Sequence, residues 1–172
     1  RANPYYLYIK LPKDAKEQFV AITPFVPVSS GNRETRLVSF LAASSDPNEY
    51  GELRAFTMPQ GENVRGPAQV NNDITRNPAV AQAITLLGQR SQVIQGSLQP
   101  IPVGNSIIYV RPFYAQGRSQ GSYPQFQFVV VYSQDIGAVC AQTVNEGLQL
   151  LFGAGQETNT CNQFVSGTGT GT

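Results

Sequence analysis

The chain has 172 residues, of which 13% are charged, and its formal net charge is +1 at pH 7. A chain of this length buries enough apolar surface to fold as one domain without metals or dense cross-links. The low charge excludes a broad basic field that would hold phosphate backbones or an anionic membrane surface, so we expect no nucleic-acid partner.

Residue types exclude several kinds of catalytic site. The chain contains no histidine and only two cysteines. Ser-His-Asp and Cys-His arrangements, and zinc sites that use His, are therefore impossible within these residues. The chain also lacks the GxxxxGK[ST] and GxGxxG loops that bind nucleotides. We predict no metal site, no cofactor and no catalytic residue.

The N-terminal third predicts four strands separated by turns. Their apolar residues alternate with other residues or form short continuous runs, as is typical of sheets. Pro24 and Pro27 remove ladder donors, so the second strand is predicted to lie at an edge or to bend. A polar turn from Ser29 to Glu34 follows it. The predicted strands are Tyr5–Leu11, Phe19–Val28, Leu37–Ala43 and Gly51–Met58.

One loop in this region carries the candidate site. Asp46, Asn48 and Glu49 lie close together beside Tyr50. Oxygen ligands of this kind bind hard cations, and paired carboxylates act as acid and base. The alternative is an ordinary turn, because Asp before Pro, followed by Asn, commonly forms one without any ligand.

The middle of the chain predicts a helix and a hairpin. Asn77 is placed to cap the helix, Pro78 suits its first turn, and Gly88 is placed to end it. Two β-branched runs, Val93–Ile101 and Ile107–Phe113, then meet at Gly104-Asn105, which is a hairpin signal. Because Pro100, Pro102 and Pro112 lack ladder donors, we expect the arms to bulge or to leave the ladder near Pro100–Pro102.

The C-terminal third predicts a strand and a second helix. A Gly- and Ser-rich connection, residues 117–124, precedes a buried strand at Phe126–Tyr132. An apolar stripe from Ile136 to Leu151 predicts the helix, with Ser133 or Asp135 as its cap and Gly153 as its end. Residues 166–172, reading SGTGTGT, form a tail too polar and Gly-rich to order itself.

The two cysteines are predicted to form a disulfide. Cys161 lies in a polar segment where packing gives no reason for a cysteine, and the chain after the second helix is long enough to return to Cys140. Such a bond would stabilise the fold by roughly 3 kcal/mol on the chain-entropy model and would indicate an oxidising compartment. Two free thiols, with Cys140 as a small core residue, remain the alternative.

Three stretches resemble uncharacterised protein family 0182. They are Leu41–Leu53, Gly66–Gly117 and Gln127–Gly153, and their most specific parts include Gly96 to Pro102 and Tyr109-Val110 with Pro112. Arg111 departs from the family pattern, in which we expect an acid. The resemblance implies large bacterial proteins with several transmembrane helices and a domain outside the cytoplasm. The resemblance assigns no catalytic residue to this chain.

We therefore expect an α+β domain over residues 1–165. A mostly antiparallel or mixed sheet of about six to eight strands would carry two main helices on one face, and residues 166–172 would be a flexible tail. The expected function is a non-catalytic binding or scaffolding module on the extracytoplasmic face of the membrane, which contacts an envelope component or protein. Only the rest of a parent chain would enter the membrane. The alternative is an envelope-acting hydrolase or transferase that uses the carboxylates of the Asp46 to Tyr50 loop.

Overall fold

The structure is a computed structural model that describes residues 4–27, 36–59, 63–103, 106–153 and 159–165. The described residues form nine strands: β1 (Tyr5–Ile9), β2 (Gln18–Phe25), β3 (Ser39–Ser44), β4 (Leu53–Thr57), β5 (Ser91–Gln95), β6 (Gln99–Val103), β7 (Ser106–Gly117), β8 (Gln125–Ser133) and β9 (Gly137–Ala141). They also form four helices: α1 (Pro67–Arg76), α2 (Pro78–Arg90), α3 (Val144–Phe152) and α4 (Cys161–Val165). The predicted α+β class is confirmed, and the strands form two antiparallel sheets of four and five strands instead of one.

The chain divides into two compact units. The first comprises residues 1–69 and 100–107, and the second comprises residues 70–99 and 108–172. A single domain over residues 1–165 stays a prediction. The predicted tail, residues 166–172, lies outside the described residues, as do the predicted turn at Ser29–Glu34 and the hairpin turn at Gly104-Asn105.

The first sheet is an antiparallel meander in the order β1-β2-β3-β4. Its side chains alternate strictly between a buried and a more exposed face in all four strands, as the pleat of a strand requires. The buried face includes Val20, Ile22, Phe40 and Ala42, which pack with Leu11 from the segment after β1. Burial of this apolar face is the main term that holds the sheet together.

The four N-terminal strands are confirmed with shorter bounds, and the second is internal. β2 pairs with β1 on one side and with β3 on the other, so the prediction of an edge strand is wrong. The prolines explain the difference. Among the described residues, β1 pairs only as far as Ile22, whereas Pro24 pairs with Phe40 of β3 alone. Pro24 therefore lies beyond the part of β2 that pairs with β1, where no backbone N–H is needed for a hydrogen bond to β1.

The second sheet has the order β5-β7-β8-β9, with β6 as a fifth strand beside β7. The first arm of the predicted hairpin is broken at residues 96–98, and not at Pro100–Pro102, which lie inside β6. Gly96 explains the position of the break. Its N donates to Pro112 O at 2.8 Å, and a Cβ on Gly96 would lie 2.6 Å from Pro112 Cγ. Only glycine permits the two backbones to approach so closely.

The first predicted helix is confirmed as α2. Asn77 Oδ1 accepts from the N of Ala79 and of Val80, at 3.1 and 3.2 Å, and the helix continues two residues beyond Gly88 to Arg90. Sequence reasoning missed α1, whose buried residues are only Val70 and Ile74. Two apolar positions four residues apart are too few to establish a helical period.

The second predicted helix is wrong in its first half. Gly137 to Ala141 form β9, and α3 begins only at Val144. Gly137 has a φ of +104°, which turns the chain sharply after β8. Thr143, and not Ser133 or Asp135, caps α3 through a capping box with Glu146. The helix ends at Phe152 with Gly153 as its C-cap, as predicted.

Gly147 lets α3 pack closely on β8, and its replacement tests this contact. A Cβ on Gly147 would lie 2.3 Å from Val131 Cγ2, so Gly147→Ala should lower the free energy of unfolding by about 1 to 3 kcal/mol through overpacking. Gly88→Ala in α2 is the matched control, because its Cβ would meet only Val93 Cγ2 at 4.0 Å. Higher helix propensity should make that variant up to about 1 kcal/mol more stable. Equal effects in urea unfolding would contradict the prediction.

Candidate functional site

The loop that contains Asp46 and Tyr50 joins β3 to β4 as a compact turn. Glu49 N donates to Asp46 O at 3.0 Å, and Gly51, whose φ is +81°, donates from its N to Ser44 O at 3.0 Å. The side chain of Tyr50 is 81% exposed. Its own hydrogen bonds therefore hold the backbone of the loop. This is the behaviour of an ordinary turn, which was the alternative to a ligand site in the sequence analysis.

The polar side chains of this loop do not converge on one point. Asp46 Oδ1 accepts from the backbone N of Phe19 at 3.4 Å, which ties the loop to β2. Asn48 and Glu49 are exposed. The described residues contain no group of three or more acidic or cysteine side chains that could hold a metal ion. Binding of a ligand or cation by Asp46, Asn48, Glu49 and Tyr50 stays a prediction.

Glu49 also lines a small open pocket beside the loop. The pocket has a volume of about 200 Å³. It brings together charges of both signs, and Asp46 is not among its lining residues, which are Asp14, Ala15, Lys16, Gln18, Glu49, Glu52 and Arg54. The two carboxylates on which a hydrolase would depend therefore do not share this pocket.

A polar network forms one wall of the pocket. Arg54 Nη1 donates to Asp14 Oδ1 at 2.6 Å, and Gln18 Nε2 donates to Asp14 Oδ2 at 2.6 Å. Ser44 Oγ donates to Gln18 Oε1 at 3.1 Å. The network thus connects the segment before β2 to β3 and β4, and it satisfies Gln18 and Ser44 inside the sheet.

The network shifts the ionisation of its charged pair. The hydrogen bond from Arg54 is the largest influence on Asp14 and lowers the pKa of that carboxyl from its ordinary value, although burial opposes the shift. The same hydrogen bond raises the pKa of Arg54. Both groups are therefore charged at neutral pH, as expected for a structural ion pair. Forty residues separate the partners, so no local sequence pattern could have indicated the pair.

The most distinctive surface of the first unit is the outer face of its sheet. Tyr6, Tyr8 and Leu53 on this face are 62%, 68% and 63% exposed. None of the strand residues on this face is charged, and we call it the uncharged face. The strand registers place on it Tyr6, Tyr8, Phe19, Ala21, Thr23, Phe25, Ser39, Leu41, Ala43, Leu53, Ala55 and Thr57.

Aromatic side chains make this face unusual for a solvent-exposed sheet. The rings of Tyr6 and Phe19 stack with their centroids 5.9 Å apart. An antiparallel sheet with one solvated face normally places polar residues there, whereas contiguous apolar patches mark interaction surfaces. Sequence reasoning missed the face, although alternate aromatics in β1 were its signal, because both faces of these strands are apolar.

In the second unit, polar contacts hold α1 to the second sheet. Arg111 Nη1 of β7 donates to Asn71 Oδ1 and, at 3.2 Å, to Gln95 Oε1. Tyr132 OH of β8 donates to Asp73 Oδ2 at 2.9 Å. Burial lowers the pKa of Arg111. Arg111 therefore has a structural role as a donor to α1.

The predicted disulfide is present and covers the outer edge of β9. Cys140 and Cys161 are bonded, both are fully buried, and their Cα atoms lie 5.4 Å apart. Thr160 N donates to Cys140 O at 2.9 Å, and Cys140 N donates to Asn159 Oδ1 at 3.2 Å. Asn77 Nδ2 donates to Ala138 O at 3.2 Å on the same strand. Three backbone groups on the outer side of this edge strand are thereby satisfied within the molecule.

A G-x-S-x-G pattern at Gly117 to Gly121 has no catalytic context. Ser119 lies in the exposed connection between β7 and β8, and its hydroxyl pairs with Ser122 Oγ at 2.8 Å. A nucleophile elbow requires a turn from a strand into a helix and a nearby base, usually His. This connection joins two antiparallel strands, and the chain has no His.

Comparison with known proteins identifies similar chains. The model of the Uncharacterised protein family (UPF0182) matches residues 1–87, which is just over half of the 172 residues. UPF0182 proteins of Trichodesmium erythraeum and Cupriavidus necator are 37% and 38% identical to it over 152 and 153 residues, and each match covers 88% of this chain. A UPF0182 protein of Methanospirillum hungatei is 36% identical over 157 residues, or 91% of this chain.

These relatives are much longer than the chain. The matched stretch covers 16%, 16% and 17% of the three relatives, respectively. No solved structure matches the chain. Among the described residues, no helix is long and apolar enough to cross a membrane.

Removal of the disulfide should destabilise the second unit. The bond joins residues 21 positions apart, so the double substitution Cys140→Ser and Cys161→Ser should lower the free energy of unfolding by about 3 kcal/mol. Hydrogen exchange should also become faster at Cys140 and Thr160, where the edge loses its cover. The disulfide itself is checked by alkylation: the unfolded wild-type chain should gain two adducts only after reduction. Two adducts without a reductant would contradict it.

Removal of the Asp14 charge should destabilise the first unit in a pH-dependent way. The lowered pKa of Asp14 means that its contribution is present above about pH 4 and is lost as the pH falls through the folded-state pKa. Asp14→Asn should lower the free energy of unfolding by about 1 to 2 kcal/mol at pH 7. The difference from the wild type should shrink toward pH 3 in urea titrations.

The matched control for this pH dependence is an acid without such a partner network. Asp135 is exposed in the turn between β8 and β9, so Asp135→Asn should change the stability by less than about 0.5 kcal/mol at pH 7. A difference between wild type and Asp14→Asn that stays constant from pH 7 to pH 3 would show that the ion pair does not provide the stability.

Proposed function

The chain belongs to the uncharacterised protein family UPF0182, and we propose that it is a non-catalytic binding or scaffolding module that works outside the cytoplasm. The observation that carries the proposal is the uncharged face of the first sheet. Solvent-exposed aromatic and aliphatic side chains on a contiguous face favour contact with another apolar surface, because their removal from water lowers the free energy.

The geometry of the face supports protein binding more than catalysis. It is the outer surface of a four-stranded sheet whose other face is occupied by the core, so its side chains are held on a rigid support. No charge on the face would have to be desolvated when a partner covers it. Tyrosines such as Tyr6 and Tyr8 bury a large area with little loss of side-chain freedom, which is why aromatic residues are enriched at interfaces.

The disulfide supports a location outside the cytoplasm. Cys140 and Cys161 are fully buried, so their bond contributes to the folded state and is not an exposed redox pair. Structural disulfides persist in oxidising compartments and are rare in the cytosol. The location beside an envelope component or protein partner, as a domain of a multi-pass membrane protein, is part of this proposal.

A catalytic role in the Asp46 to Tyr50 loop has less support. An envelope-acting hydrolase or transferase would need Asp46 and Glu49 in one cleft, with one carboxyl protonated at neutral pH. Glu49 lines the small pocket, whereas Asp46 accepts a hydrogen bond from the backbone of Phe19. We therefore retain this alternative only as the second candidate.

Affinity capture with matched variants tests the proposed function. The immobilised chain is exposed to a detergent extract of the native cell envelope, beside the double variant Tyr8→Lys and Leu53→Lys, which places charge on the uncharged face. Tyr123→Lys is the control, because Tyr123 is 83% exposed outside this face. We expect one component to be retained by the wild type and the control and lost with the double variant, since a buried unpaired charge opposes binding. Equal retention by all three chains would contradict the proposal.

A further inference from the structure

The partner of the uncharged face can be inferred from its charge and the length of the relatives. We propose that the face packs against another part of the same, longer polypeptide, which presents an uncharged apolar surface of its own. This inference rests on the proposed function, because it names the partner of the same surface. It adds that the surface in contact belongs to the same chain, so the component retained in the envelope capture should be the longer polypeptide itself.

The absence of charge defines the chemistry of the occupant. A surface with charged groups would lose their hydration against this face without gaining a partner charge, so it would be rejected. Strand pairing also occupies the backbone groups of β2 and β3, which leaves side-chain contacts as the basis of recognition at the centre of the face. An apolar helix or sheet surface satisfies these conditions, as in the packing of two layers within one protein.

Linkage within one chain favours a tethered partner over a second copy. Four strands about 4.8 Å apart and five to eight residues long outline a flat area of about 400 Å², to which the protruding side chains add accessible surface. Each partner in a stable complex of standard size buries about 800 Å² of accessible surface, so area alone fits either a free or a linked partner. A covalently linked partner needs less contact, because linkage provides an effective concentration in the millimolar range.

The length of the relatives shows that the family has a large amount of chain outside this stretch. The matched stretch makes up 16% of the Trichodesmium erythraeum relative and 17% of the Methanospirillum hungatei relative. More than four fifths of each relative therefore lies outside this stretch. Contacts between domains of one chain typically bury about 600 to 1,500 Å², and a linked domain is a partner of this kind.

Thiol labelling of the face in chains of two lengths tests the inference. The 172 residues contain two cysteines, both in the disulfide, so Tyr8→Cys adds the only free thiol to this stretch. Tyr123→Cys is the control outside the face. In the 172-residue chain, both variants should react with a maleimide at similar rates, since Tyr8 and Tyr123 are 68% and 83% exposed. The same substitutions are then made in the longer native polypeptide, with its other free thiols replaced by Ser.

We expect the thiol at position 8 to react about tenfold more slowly, or slower still, in the longer polypeptide, because labelling would require transient opening of the contact. The thiol at position 123 should keep its rate. Equal rates at position 8 in both chains, equal slowing at both positions, or a native product no longer than 172 residues would overturn the inference. A dimer of the 172-residue chain that shields position 8 would overturn it in favour of a second copy.

The two proposals fail in different ways. If position 8 is not shielded in the longer polypeptide but the envelope capture depends on Tyr8 and Leu53, the face binds a separate molecule and the proposed function stands. If position 8 is not shielded and capture is also independent of the face, the proposed function fails as well.

Discussion

The antiparallel register of the first sheet is the constraint on which the rest of the first unit depends. Successive side chains of a strand point to opposite faces, so a shift of one residue would exchange the core face with the uncharged face. Val20, Ile22 and Phe40 bury one face, and the hydrogen bond between Ser44 and Gln18 requires the same alignment. The apolar core alone would tolerate the shift, because both faces are apolar. The polar network favours the observed register over the shifted one, because the shift would move Gln18 and Arg54 to the other face of the sheet.

In the second unit, a covalent bond helps to cover the exposed edge strand β9. The disulfide holds Asn159 and Thr160 against Cys140, and the N and O of Cys140 bond to this segment instead of to water or another chain. Elsewhere in this unit, α3 approaches β8 closely because Gly147 has no side chain. Both features bring a second segment of chain close to the sheet, Gly147 by the absence of a Cβ and the disulfide by a covalent bond.

These features are the basis on which we propose a binding role instead of a catalytic one. The polar groups that converge in the described residues do so to support structure, as in the ion pair of Asp14 with Arg54 and the donation from Arg111 to Asn71. Catalytic groups are instead usually held in clefts with perturbed ionisation that serves the reaction. The surface without a structural explanation is uncharged and rich in exposed aromatic and aliphatic side chains, and contiguous apolar patches of this kind mark interaction surfaces.

The sequence by itself determined the α+β class, the four N-terminal strands and α2 with its Asn77 cap, and it predicted the pairing of Cys140 with Cys161 while two free thiols remained the alternative. These depend on local periodicity, on capping and turn residues, and on the small number of cysteines. Only the tertiary structure decided that the strands form two sheets, that residues 137–141 form a strand, and that the charged partner of Asp14 is Arg54. The apolar run from Ile136 to Cys140 fits either a helix or a buried strand, and pairing with β8 is what selects the strand. The uncharged face likewise required the register of four strands, because alternation within one strand does not show which of two apolar faces the core will cover.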